Sequence, residues 1–212
     1  MYQPHDLLFL KNKKAFQTTN HKTMPKWADK VLDNSLAVVV RRGHSKTEEV
    51  LVGLRGTKKN ERLAGVVATQ NISKSFSPEI IATQKLWENL SLERLALKPF
   101  QTITKLPFIM NEYQWGIGGS CGFEIITGIQ TVTDLSDVDL IIRGLKYLSY
   151  KKSCALLKLV NSFGVHIDIQ IINELNSFSL EELCFNPKRS ILVKTGDGPI
   201  LTKTPWKTLM EV

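Results

Sequence analysis

GGSCGFEIITGIQTVTDLSDVDLIIRG, residues 118–144, decides how this chain is read. Asp137 and Asp139 sit one residue apart in the apolar run DVDLII, with a Gly118-Gly119-Ser120 turn upstream. The run alternates too little for a half-exposed strand and reads as a largely buried one. Residues two apart on a strand project from the same face, so both aspartates point one way. Two unpaired carboxylates side by side repel, and burying them is costly. They are therefore either a solvated strand end or half of a metal site, since a divalent cation removes both costs.

Downstream, Leu145 to Phe163 places Leu145, Leu148, Ala155, Leu156, Leu159, Val160 and Phe163 on one helical face, with Gly164 as the stop. VHIDIQII (165–172) then alternates strictly: Val165, Ile167, Ile169 and Ile171 on one face, His166, Asp168 and Gln170 on the other. Pairing of the strands at 137–144 and 165–172 would bring three aspartates together. Mg²⁺ takes oxygen ligands, commonly one or two carboxylates plus substrate phosphates. Two metals held ~4 Å apart would brace the attacking and leaving oxygens of an in-line phosphoryl or nucleotidyl displacement. Upstream, CGFEIITG has room for a short helix ended by Gly128. Gly119 lets the backbone approach a polyphosphate, helix-opening N–H groups attract anions, and the Ser120 hydroxyl adds a donor.

In the first half, LAVVVRR (36–42) and VLVGLRG (50–56) form an expected hairpin, and TKKNERLAG an expected polar loop. SPEIIATQKLWENL reads as one helix, with Ser77 as N-cap and Pro78 at its first position. SILVKTGDGPIL (190–201) is a strand followed by a Gly-Pro turn. The predicted fold is α+β: a small N-terminal α/β module, residues 1–92, then a mixed sheet with helices packed on it, residues 93–212. The composition break lies toward Pro99.

Charge supports two modules. Residues 1–100 hold 17 Lys/Arg against 9 Asp/Glu, and residues 101–212 hold 11 against 11. A basic first half implies an acidic partner: a phosphorylated substrate, an acidic protein or a nucleic acid. The basic opening MYQPHDLLFLKNKK reads as neither a signal peptide nor a membrane span. Three widely spread cysteines without CxxC spacing fit reduced thiols, so a cytoplasmic protein is expected.

The order Gly-Ser, DxD, long helix, then Asp on an alternating strand resembles the polymerase β-type nucleotidyltransferase superfamily. GIGGSCGFEIITG followed by SDVDLIIR is similar, more narrowly, to the holo-acyl carrier protein synthases of malonate decarboxylase, the phosphoribosyl-dephospho-CoA transferases. PHDLL (4–8), VVVRR (38–42), VGLRG (52–56), FSLEEL (178–183) and ILVKTGDGP (191–199) extend the resemblance along the chain. One departure stands out: the family pattern is closer to Asp-x-Glu where this chain has Asp168-Ile169-Gln170.

The resemblance implies that a serine of the apo acyl carrier subunit attacks the α-phosphorus of triphosphoribosyl-dephospho-CoA, releasing pyrophosphate. Asp137, Asp139 and Asp168 would hold Mg²⁺, and Asp168 would accept the serine proton. Gly119 and Ser120 would grip the terminal phosphates, and Arg143 and Lys194 would neutralise the leaving pyrophosphate, unless these two are ordinary surface cations. Neither a membrane nor a nucleic acid is an expected partner. Among the other candidates, Arg41, Arg42 and Arg55 would meet across the hairpin to face phosphates or an acidic carrier, or form a solvated basic edge. His5, His166 and Trp87, Trp115 and Trp206 read as structural, and Glu124 as a brace for the glycine turn. The alternatives are the equivalent citrate lyase transferase, another nucleotidyltransferase, or a non-enzymatic basic binding module on an inactive scaffold.

Overall fold

Runs rich in β-branched residues build the first sheet. Strands β1 (Leu7–Leu10), β2 (Gln17–Thr18), β3 (Ala37–Val40), β4 (Glu49–Arg55), β5 (Arg62–Ala68) and β6 (Ile72–Phe76) pair antiparallel in the order β2-β5-β4-β3-β1-β6. In β4 the alternation is plain: Val50, Val52 and Leu54 are buried, and helix α1 (Lys26–Asn34) adds Ala28 and Leu32 to the same core. The expected hairpin is β3–β4, with Val39 opposite Gly53. The expected loop over 57–65 is in part strand, because β5 pairs with β4 from Arg62 onward; its residues 57–59 lie outside the described ones. The arginines start from different places along the hairpin, and the Arg41 side chain lies over Gly53. Arg41 follows β3 and bonds to Leu51 O, whereas Arg55 closes the far end of β4, opposite Arg62.

This computed structural model describes residues 2–19, 23–56, 60–186 and 189–211, and its chain divides into units Met1–Ser77 and Pro78–Val212. The division falls earlier than the expected 92/93 because Ile81, Ala82 and Trp87 are buried in the second unit's core. With the units so placed, residues 1–77 carry 14 Lys/Arg against 6 Asp/Glu, and residues 78–212 carry 14 against 14. The net +8 charge thus belongs to the first unit.

The second unit is a mixed sheet: β7 (Trp115–Ile117), β8 (Val138–Arg143), β9 (Ile167–Asn173), β10 (Asn176–Ser179), β11 (Ile191–Thr195) and β12 (Gly198–Thr202), in the order β12-β11-β10-β9-β8-β7. Among the described residues only the β8–β9 pair is parallel. A parallel pair needs a crossover, supplied here by the helix α6 (Tyr150–Val160). Ser149 caps α6 by accepting from Lys152 N, and Gly164, in the left-handed region at φ 83°, ends the turn that follows. The expected helix over 78–90 is instead α2 (Pro78–Thr83), a left-handed Lys85 and a 3₁₀ turn at Leu86–Asn89. Ile81 and Trp87, six apart, fall on different faces of a straight helix, and the break lets both bury. The remaining helices are α3 (Leu92–Leu95), α4 (Lys98–Ile103), α5 (Gly119–Thr127), α7 (Leu180–Phe185) and α8 (Pro205–Met210). The α+β class holds. No helix among the described residues is long and apolar enough to cross a membrane.

Candidate active site

The parallel register of β8 and β9 sets Asp139 directly beside Asp168. The alternation that buries Val138, Leu140, Ile167 and Ile169 turns both carboxylates to the opposite face, where each is half-buried. Asp137 lies just before β8 and is exposed; its carbonyl accepts from the Cys121 thiol at 3.8 Å. Two of the three expected aspartates therefore form one rung of the sheet, and the third stands at its entrance. Among the described residues no group of three or more His, Cys, Asp or Glu is arranged to hold a metal ion. The rung nevertheless suits a hard cation that draws its other ligands from a substrate, since Mg²⁺ commonly binds through one or two carboxylates and phosphate oxygens.

Helix α5 opens against this rung. Gly118 is its N-cap and donates its N–H to Asp139 O at 2.9 Å, tying the turn to β8. Gly119 follows at φ 56°, and a Cβ there would overlap Asp139 Oδ2. Only glycine satisfies both the left-handed backbone and the close approach. The first N–H groups of α5 have no partner within the helix, so they form a donor cluster beside the carboxylates. Ser120 is half-buried in that first turn, and its carbonyl accepts from Thr131 Oγ1. Gly119→Ala is expected to cost about 1–2 kcal/mol from the backbone alone and to displace Asp139. Urea titration and a turnover assay check this, with turnover falling further than stability explains.

The rest of the GFEIITG motif holds the loop that delivers Asp137. Glu124, 1% exposed, accepts from Thr131 N at 2.7 Å and from Val132 N at 2.8 Å. Arg94 grips the same carboxylate with two nitrogens, at 2.6 and 3.0 Å, and donates to Val132 O at 2.7 Å. This contact raises the Arg94 pKa. Thr127 Oγ1 donates to Phe123 O, and Gly128, left-handed at φ 72°, closes α5. Glu124 was expected to brace the glycine turn, but its carboxylate instead holds Arg94 and the 131–132 loop; Arg94, thirty positions away, had no signal in the sequence.

Asp168 is held from two sides: Ser179 Oγ donates to its Oδ1 at 3.1 Å and Gln170 Nε2 to its Oδ2 at 2.9 Å. His166 pairs with Glu181 at 3.1 Å rather than with Asp168. Trp87 and Trp115 are core residues, and Trp206 packs edge-on against Phe178.

The two expected pyrophosphate cations are placed elsewhere. Arg143 closes the other end of β8, buried, with its Nε 2.6 Å from Glu79 Oε1. Lys194 faces Ser177, which faces Ile172, which faces Arg143, so both cations share a rung at the far end of the sheet. Four residues of strand, about 13 Å, separate that rung from the aspartates.

Cys121, 1% exposed, sits behind the rung. Burial, and then the carboxylates of Asp139, Glu124 and Asp137, push its thiol from 9.0 up to about 12 against an opposing Ser120 hydrogen bond. Above pH 9 the unfolded thiol ionises while the folded one keeps its proton, so this contribution is complete below pH 9 and is lost as pH rises toward 12. Between pH 9 and about 11, the urea midpoint should fall more steeply for the natural protein than for Cys121→Ala; equal slopes would contradict this.

Comparison with known proteins gives the site its class. Residues 3–78 match the family described as Phosphoribosyl-dephospho-CoA transferase MdcG N-terminal domain, and residues 85–205 match its C-terminal domain. A phosphoribosyl-dephospho-CoA transferase of Klebsiella pneumoniae is 29% identical over 96% of this chain and 96% of its own. One from Pseudomonas fluorescens is 30% identical over 86% of this chain and 85% of its own, and one from Azotobacter vinelandii is 27% identical over 97% and 94%. No solved structure matches. The protein is a transferase. Within that class, the chain belongs to the phosphoribosyl-dephospho-CoA transferase family, with both units included.

Proposed function

We propose that the protein transfers the phosphoribosyl-dephospho-CoA group from 2′-(5″-triphosphoribosyl)-3′-dephospho-CoA to a serine of the apo acyl carrier subunit of malonate decarboxylase. The observation that carries this reading is the Asp139–Asp168 rung set against the opening of α5, in a chain of this family. In the reaction the serine oxygen forms a bond to the α-phosphorus. The bond from that phosphorus to the pyrophosphate oxygen breaks, and pyrophosphate leaves.

Each residue then has a task. Asp139 and Asp168, with Asp137 at the entrance, would hold Mg²⁺ together with the triphosphate. When bound, the cation neutralises charge on the phosphate oxygens. The N–H groups of Gly119 and Ser120 would receive the terminal phosphates, with the Ser120 hydroxyl as a further donor. Asp168 would accept the serine proton, its carboxylate being already fixed in place. The net positive first unit supports an anionic partner, and the three free cysteines support a cytoplasmic site of action. Nucleic acid and membrane have no part in the reading.

Acceptor competition tests the assignment. With triphosphoribosyl-dephospho-CoA and Mg²⁺, the malonate decarboxylase carrier should be labelled faster than the citrate lyase carrier, and free nucleotides not at all. Preference for the citrate lyase carrier would move the protein to the parallel pathway. Salt-sensitive RNA binding without turnover would make it a binding module.

A further inference from the structure

We propose that Ser179 and Gln170 are positioning residues that clamp the Asp168 carboxylate, so that its free lone pairs face the reacting groups. The inference rests on the reading of Asp168 as a reacting carboxylate. Like charges opposite each other on neighbouring strands repel, so Asp168, left alone beside Asp139, would swing away. Two donors hold it. Ser179 Oγ reaches Oδ1 at 3.1 Å and Gln170 Nε2 reaches Oδ2 at 2.9 Å, so each carboxylate oxygen has its own donor.

The clamp is itself fixed. Ser179 is the last residue of β10 and the N-cap of α7, where its Oγ accepts from Glu182 N at 3.4 Å. An oxygen that accepts from the helix has its single hydrogen left for Asp168. Gln170 faces Ser179 across the β9–β10 pair and Ile141 across β8, so the two donors are neighbours in one rung. An ionised carboxylate at position 170 has no hydrogen to donate. The Gln170 amide has such a hydrogen, and it forms half of the clamp.

The variants Ser179→Gly, Ser179→Thr, Gln170→Met and Asp168→Asn separate the possibilities in the full-length protein. Glycine caps a helix almost as well as serine, so Ser179→Gly removes the hydroxyl while leaving α7 nearly as stable. A hydrogen bond to a charged group is worth enough that kcat should fall about 10- to 100-fold in Ser179→Gly and in Gln170→Met. KM for triphosphoribosyl-dephospho-CoA should stay within about two-fold. Ser179→Thr keeps the hydroxyl and should keep kcat. If Asp168→Asn is inactive while Ser179→Gly and Gln170→Met turn over at the natural rate, the clamp is overturned and the reading of Asp168 stands. If Asp168→Asn keeps full activity, the reading of Asp168 is overturned and the clamp with it.

Discussion

Asp139→Ala should abolish carrier labelling, with turnover at least about a thousand-fold down, the equivalent of roughly 4 kcal/mol of transition-state stabilisation. Asp139 is the residue where the features of the site meet. It faces Asp168 in the parallel register, its backbone carbonyl takes the Gly118 N–H, and its carboxylate occupies the space that Gly119 leaves open. The loss should be chemical rather than structural. Alanine leaves the Gly118 hydrogen bond intact and relieves the repulsion between facing carboxylates. The melting temperature should therefore fall by no more than about 2–4 °C, the shift that 1 kcal/mol produces in a domain of this size. Intact-carrier mass and a thermal melt on the same preparation check both halves; full labelling by Asp139→Ala would remove the rung from the mechanism.

Glu124→Ala should destabilise the second unit by about 3–5 kcal/mol. The substitution leaves the Arg94 guanidinium, 14% exposed, without its counter-charge, and leaves Thr131 N and Val132 N without an acceptor. Breaking a buried pair from one side costs more than replacing both partners by apolar groups. The double variant Glu124→Leu with Arg94→Leu should thus be more stable than the sum of the single changes predicts, a non-additivity that denaturant titration reads directly. Turnover should fall as well, because the same loop delivers Asp137. A loss under about 1 kcal/mol, the value of an exposed pair, would contradict the account of the brace.

Local chemistry was legible in the sequence, and distant partnership was not. The strict alternation of VHIDIQII placed Asp168 opposite the core face, and the DVDLII run placed Asp139 likewise, so their meeting needed only that β8 and β9 pair. The αL glycine after the motif's threonine marked the end of α5. The partners of Glu124 and Arg143 come from elements remote in the chain, Arg94 and Glu79, and no local pattern announces them. Arg143 and Lys194 looked like phosphate ligands because they follow promising strands, yet strand direction carries both to the other end of the sheet. The helix broken at Lys85 follows from tertiary packing, because burying both Ile81 and Trp87 outweighs helical continuity.

Weighing the intact carrier tests the central claim most directly. Apo carrier of malonate decarboxylase is incubated with the protein, triphosphoribosyl-dephospho-CoA and Mg²⁺, and pyrophosphate is assayed in the same tube. The account predicts a gain equal to one phosphoribosyl-dephospho-CoA group on the carrier serine, with one pyrophosphate released per carrier and neither event with Asp139→Ala. An unchanged carrier mass in the presence of the folded natural protein would contradict it.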